Sequence, residues 1–185
     1  MPGLSAAAGG PLRRVGEALC SLFFPRLCPV CGRALPEGMD LLCPDCLARL
    51  PRTGFLPQRG NAMEELFAGV LPLVPDVRLH SAAAFFYYKP GEPYTRLVTD
   101  LKYRHRRGLA RALVEQMFRE CDPRLFLPGG ADVVMPVPIH WKKRGRRGYD
   151  QSAYIARAVG CRLGIGVRER GVRRVADTPS QTAFS

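Results

Sequence analysis

Asp132-Val-Val-Met-Pro-Val137 is a short continuous apolar run, the pattern of a strand buried in a parallel sheet. It leads through Pro138-Ile-His-Trp-Lys-Lys-Arg-Gly-Arg-Arg-Gly148, read as a basic loop, into Tyr149-Asp-Gln-Ser152. Asp150 is a good N-cap for a helix reaching Leu163, with Ala153, Ile155, Ala156 and Val159 inward and Gly164 as C-cap. Strand, loop and helix in that order are the α/β signature. Outward from this unit, residues 79–88 read as a second strand ending in Phe85-Phe-Tyr-Tyr88, and Lys89-Pro-Gly-Glu92 reads as a turn. Pro93 suits the first turn of a helix with Leu97, Val98 and Leu101 on its apolar face. After a basic break at 104–108, a helix over about 109–120 turns Leu109, Leu113, Val114 and Met117 inward. The expected fold class is α/β, with a site in the loop after Val137, because such folds bind ligands beyond the C-terminal ends of their strands.

That loop has the composition of a phosphate or pyrophosphate site. Lys142, Lys143, Arg144, Arg146 and Arg147 supply the cations, and the arginines offer bidentate donors. Glycines such as Gly148 let backbone N–H groups approach an anion, and the helix starting near Asp150 adds its N-terminal dipole. A solvated basic loop or a nucleic-acid patch has the same composition. Lys102 and Tyr103, followed by Arg104, Arg106 and Arg107, make a second basic patch that a solvated helix end also explains. Lys102, Tyr103 and Gln151 are candidate contacts to a substrate or nucleic acid. His140 has the chemistry of a general acid or base, although a His beside a Trp is more often a packing residue. No catalytic residue is assigned.

Upstream, Cys28-Pro-Val-Cys31 and Cys43-Pro-Asp-Cys46 are two C-x-x-C pairs. Each places two thiolates on one tight turn, and two facing turns make the tetrahedral four-sulfur set that Zn²⁺ prefers. With four thiolates and no open position, the site reads as closed and structural. Two disulfides, a redox motif or an iron–sulfur centre are the alternatives. So short a segment cannot bury a core of its own, so bound metal would hold it folded. Cys20, Cys121 and Cys161 read as ordinary semi-buried thiols, and seven cysteines suit a reducing cytoplasm better than a complete disulfide framework.

The 185 residues suffice for one domain and a small module. A hydrophobic fraction of 46% with 24% charged residues is that of a globular protein. No apolar run approaches the roughly 20 residues that cross a bilayer, so no membrane insertion is expected. Residues 1–24 read as a flexible start and an amphipathic helix with Val15, Leu19, Leu22 and Phe23 on one face, not as a secretory signal. Residues 25–51 form the cysteine module, like a double zinc ribbon. Residues 52–78 read as a linker region with a short helix near 62–69, and 79–185 as the α/β domain. The net charge of +12 suggests a polyanionic partner, either nucleic acid or the phosphates of a small substrate, and an arginine-rich proteome explains it too.

Taken together, the cysteine module led by Phe24-Pro25, Leu101-Lys-Tyr103, Pro136-Val-Pro138 with Arg147-Gly-Tyr-Asp-Gln-Ser152, and Thr178-Pro-Ser-Gln181 resemble the ComF family. These are competence and DNA-utilisation proteins with a phosphoribosyltransferase domain, and they usually carry R-G-F-N-Q-S and T-x-x-Q at the last two places. Tyr149 and Asp150 are mild departures. The resemblance implies a type I phosphoribosyltransferase-like parallel sheet with residues 142–148 in the pyrophosphate-binding position. It implies structural Zn²⁺, Mg²⁺ with a phosphoribosyl substrate, and a bacterial, cytoplasmic role in DNA uptake or nucleoside metabolism. The partners it implies are phosphoribosyl pyrophosphate or a nucleotide, with single-stranded DNA and competence proteins. Pyrophosphate would be displaced at the anomeric carbon, with Arg144, Arg146 and Arg147 stabilising the departing charge. The D-D-x-x-T-T-G kind of loop that holds ribose 5-phosphate is absent, so the expected sheet is incomplete at its C-terminus, in a fragment or a natural truncation. The alternative is a non-catalytic protein of the DNA-uptake machinery, a scaffold or a single-stranded nucleic-acid binder with Trp141 and Tyr149 stacking on bases.

Overall fold

A computed structural model describes residues 25–56, 58–73, 78–104, 107–122 and 130–177. The expected helix at 12–24 and the element at 178–181 lie outside these residues. Among those described there are six α-helices: α1 Pro44–Ala48, α2 Ala62–Val70, α3 Thr95–Tyr103, α4 Arg107–Glu120, α5 Trp141–Arg147 and α6 Gln151–Leu163. Among the described residues, strand-like backbone pairing is limited to isolated bridges, Leu27 with Ala34, Arg52 with Phe86 and Val134 with Val167. The expected α/β fold with a type I phosphoribosyltransferase-like parallel sheet is therefore corrected. The described part of the chain is helical and contains no sheet.

The reason is local at both expected strands. In the run at 132–137, Pro136 lacks an N–H, as does Pro138 just beyond it, so neither can donate to a ladder. Among the described residues only Val134 pairs: its N–H donates to Gly166 O at 3.0 Å and its carbonyl accepts from Arg168 N at 2.9 Å. The run is not buried either, since Val137 is 76% exposed. At 79–88 one antiparallel bridge forms, with Phe85 O accepting from Thr53 N at 3.3 Å and Tyr87 N donating to Pro51 O at 2.8 Å, and three other carbonyls are taken by side chains. Ala82 O accepts from Asn61 Nδ2 at 2.8 Å, His80 O from Arg59 at 3.0 Å, and Ala84 O from the Thr53 hydroxyl. Carbonyls satisfied in this way are withdrawn from a ladder, and the pairing stops at the one bridge.

The helices form where caps and apolar spacing agree. Asn61 is buried, and its Oδ1 accepts from Met63 N and Glu64 N to start α2, inside the stretch read as a linker. Asp150 does the same for α6 through Ser152 N and Ala153 N, and Gly164 ends α6 in the left-handed region at φ 70°. α4 packs on α6, with Leu109, Ala110 and Val114 of one and Ala153, Ala156 and Gly160 of the other buried. Gly160 is required by close approach. A Cβ there would lie 2.5 Å from Val167 Cγ2 and 2.7 Å from Ile165 O.

The main hydrophobic cluster joins the cysteine turns to the helices. Cys28, Val30, Leu41, Leu42, Cys43, Cys46 and Leu50 pack with Leu97 and Leu101 of α3 and Leu109 and Ala110 of α4. Tyr94 reinforces the join by donating its hydroxyl to Cys46 O at 2.8 Å. Arg52 does so from the other side, with Nε and Nη2 on the two oxygens of Glu120 at 2.5 and 2.7 Å.

Candidate functional site

The four cysteines of the two C-x-x-C pairs converge. The sulfurs of Cys28, Cys31, Cys43 and Cys46 all lie within 4.8 Å of one another, and Cys31 Sγ and Cys43 Sγ are 3.6 Å apart. A tetrahedron with metal–sulfur bonds of about 2.3 Å has sulfur–sulfur edges of about 3.8 Å, so the spacing fits a metal ion. The thiols are free, which sets aside the disulfide alternative in this structure. Cys28, Cys43 and Cys46 are buried, and Cys31 opens to the surface.

Short-range chemistry builds each half of the site. Gly32, at φ 75°, donates its N–H to Cys28 O at 2.9 Å, and Cys28 N donates to Arg33 O at 2.8 Å, closing the first turn. Cys43 is the N-cap of α1 with Pro44 at its first position, and Leu47 N bonds back to Cys43 O at 2.9 Å. Arg33 then ties the halves together. Its Nη2 donates to Asp45 Oδ2 at 2.7 Å, across the cluster. The backbone N–H and then the guanidinium of Arg33 hold the Cys31 thiol down at about 6, whereas desolvation pushes the Cys46 thiol up. Sequence reasoning did not single out Arg33 and Asp45, although each follows directly in or after a knuckle. Together the four thiolates can hold one metal ion.

The basic segment departs from expectation. Residues 141–147 are a helix, not a loop. Arg144 N bonds His140 O at 3.0 Å, Gly148 N bonds Arg144 O at 2.8 Å, and Gly148 closes the helix at φ 71°. Lys and Arg are good helix formers, and Arg144, Arg146 and Arg147 sit in the last turn where the dipole favours cations. The N–H of Gly148 is thus committed to the helix and is not offered to an anion.

The side chains diverge along α5. Arg147 lies over the Tyr103 ring, 5.1 Å from its centroid, and donates to Gln151 Oε1 at 3.1 Å. Arg147 of the expected phosphate-binding set is therefore brought together with Tyr103 and Gln151 of the expected substrate or nucleic-acid contacts. Lys102 lies over Tyr88 at 5.9 Å, and Lys142 over its neighbour Trp141 at 5.7 Å. Lys143 is half-buried, while Arg144 and Arg146 are exposed. Arg144 faces α6 across a small cleft that also contains Arg157, Glu169 and Arg170. Tyr149, expected to stack on bases, is buried and donates its hydroxyl to Leu101 O.

His140 is the N-cap residue of α5 in a buried position, with Nδ1 3.5 Å from Asp177 Oδ1 and without a hydrogen bond among the described residues. Its ring is 5.5 Å from that of Trp141, which fits a packing residue. Of the dispersed thiols, Cys121 is buried and Cys161 exposed, and Cys20 lies outside the described residues.

No family model, no curated protein and no solved structure matches the chain. Among the described residues, no helix is long and apolar enough to cross a membrane.

Proposed function

We propose that this chain is a structural-zinc protein that binds a phosphate-rich anion through the basic helix α5. Convergence of four thiolates, mostly buried and without an open position, supports zinc over a redox-active or catalytic metal. The anion reading rests on α5 itself. Five of its seven residues are Lys or Arg and none is acidic, in a chain of net charge +12. The resemblance to ComF proteins makes phosphoribosyl pyrophosphate or a nucleotide the ligand of choice, with Mg²⁺ accompanying the phosphoribosyl substrate. It also suggests a bacterial, cytoplasmic role in DNA uptake or nucleoside metabolism.

A second reading, single-stranded nucleic acid, is favoured by one specific observation. Three aromatic–cation pairs, Trp141 with Lys142, Tyr103 with Arg147 and Tyr88 with Lys102, involve exposed rings, and such rings can stack on bases. Calorimetric titration with pyrophosphate and phosphoribosyl pyrophosphate, with and without Mg²⁺, tests the first reading. Binding that is lost in Lys142→Ala/Arg146→Ala supports it, and no heat from the intact chain rejects it. An oligonucleotide affinity that falls steeply with salt would move the conclusion to the second reading.

A further inference from the structure

Where α5 ends and α6 begins, the molecule holds a cleft of about 200 Å³. Three guanidiniums reach it from three elements: Arg144 from α5, Arg157 from α6 and Arg170 from the turn beyond. Two carboxylates stand against them. Asp150 is committed to capping α6 through Ser152 N and Ala153 N. Glu169 is the carboxylate of the cleft that pairs with an arginine. It receives Arg157 Nε on one oxygen and Arg157 Nη2 on the other, the latter at 2.9 Å. That hydrogen bonding, with the charges of Arg144 and Arg170 nearby, holds the Glu169 carboxyl below its usual range. Arg144 and Arg170 make no ion pair among the described residues.

A carboxylate bound side-on by a guanidinium occupies the donors that two phosphate oxygens would use. We infer that this cleft is a subsite for a phosphate or pyrophosphate anion, with Glu169 as the internal anion that a ligand must displace from Arg157. The inference rests on the anion-binding reading of α5 and adds Arg157, Arg170 and Glu169 to it. It gives Glu169 a role opposite to that of a binding residue: it competes with the ligand.

Inorganic pyrophosphate titrated calorimetrically into the full metal-loaded chain tests this. Glu169→Gln is expected to bind about two- to fivefold more tightly, the factor for removing one exposed ion pair. Arg170→Ala is expected to bind about tenfold more weakly. Because the Arg157 pair also ties α6 to the following turn, side-chain Nε–H NMR of the unaltered protein gives a second readout. The Arg157 signal shifts on titration if Glu169 is displaced. Pyrophosphate binding that ignores both substitutions and leaves Arg157 unmoved overturns the cleft and leaves the anion-binding reading standing. Absence of binding by both the unaltered chain and Glu169→Gln overturns the two together.

Discussion

The cysteine-bearing segment and the basic segment at 130–177 are held together differently. In the first, the functional atoms point inward. Four sulfurs meet, three of their residues are buried, and the apolar side chains between them join α3 and α4 in one cluster. In the second, the functional atoms lie along one helix with no buried residue. Lys142 lies over Trp141, Arg147 over Tyr103 and Arg144 at a separate cleft, Trp141 is 70% exposed, and one parallel bridge stands where a strand is expected from the sequence. The contrast teaches that a site built from two tight turns needs only those turns to meet, whereas cations spread along one helix need partners from other elements to converge on a ligand.

The sharpest way to break this comparison is to remove the metal that the proposed zinc site would hold. Binding to a four-cysteine site is worth on the order of 10 kcal/mol. Chelation should therefore melt the cysteine segment and, through the shared cluster, lower the thermal midpoint of the whole chain. Metal analysis should show one zinc per chain beforehand. An unchanged midpoint after verified removal would mean that packing alone holds the four thiols together.

Leu97→Ala comes next. Leu97 is fully buried between the cysteine turns and the helices, so truncation should cost about 2–5 kcal/mol in denaturant unfolding and hasten zinc loss to a chelator. Loss of stability without faster release would show that the two parts are energetically separate. Gly160→Ala addresses a close contact within the basic segment, between α6 and residues 165–167. The added Cβ meets Ile165 O and Val167 and should cost about 1–3 kcal/mol while leaving zinc release unchanged.

The smallest effect belongs to Arg52–Glu120, which bridges the cysteine segment and α4. Hydrogen bonds from Arg52, against the opposing effect of burial, hold the Glu120 carboxyl below its usual range. Its contribution is therefore complete above the unfolded carboxyl value of about 4.3 and is lost as pH falls through the lower folded value. Glu120→Gln should cost about 0.5–1 kcal/mol at neutral pH, and its deficit should shrink below about pH 4. Urea unfolding across that range checks this, and a constant deficit would remove the pair from the pH dependence.

How much could be read in advance follows the same division. The C-x-x-C pairs, the Asp150 and Gly164 caps of α6 and the apolar face of α4 were legible because each depends on residues within a turn or two of one another. The runs at 79–88 and 132–137 have the composition of strands and failed as such. Their composition did not reveal that Asn61, Arg59 and Thr53 would take the first run's carbonyls. Nor did it show that a short segment around Val167 would be the second run's partner. The basic segment was misread for a different reason. Two glycines among cations suggested a loop, but Gly145 is tolerated within α5 and only Gly148 needs the left-handed conformation.

The sequence by itself determined the four thiolates on two turns, the density of cations after Pro138 and the limits of α6, all of them consequences of short-range spacing and backbone preference. Only the tertiary structure decided that the cysteine turns share a core with α3 and α4, that Arg147 lies on Tyr103, and that Arg144, Arg157 and Arg170 surround Glu169. Those pairings depend on how separate helices pack, and apolar packing carries little directional information until the elements are in place.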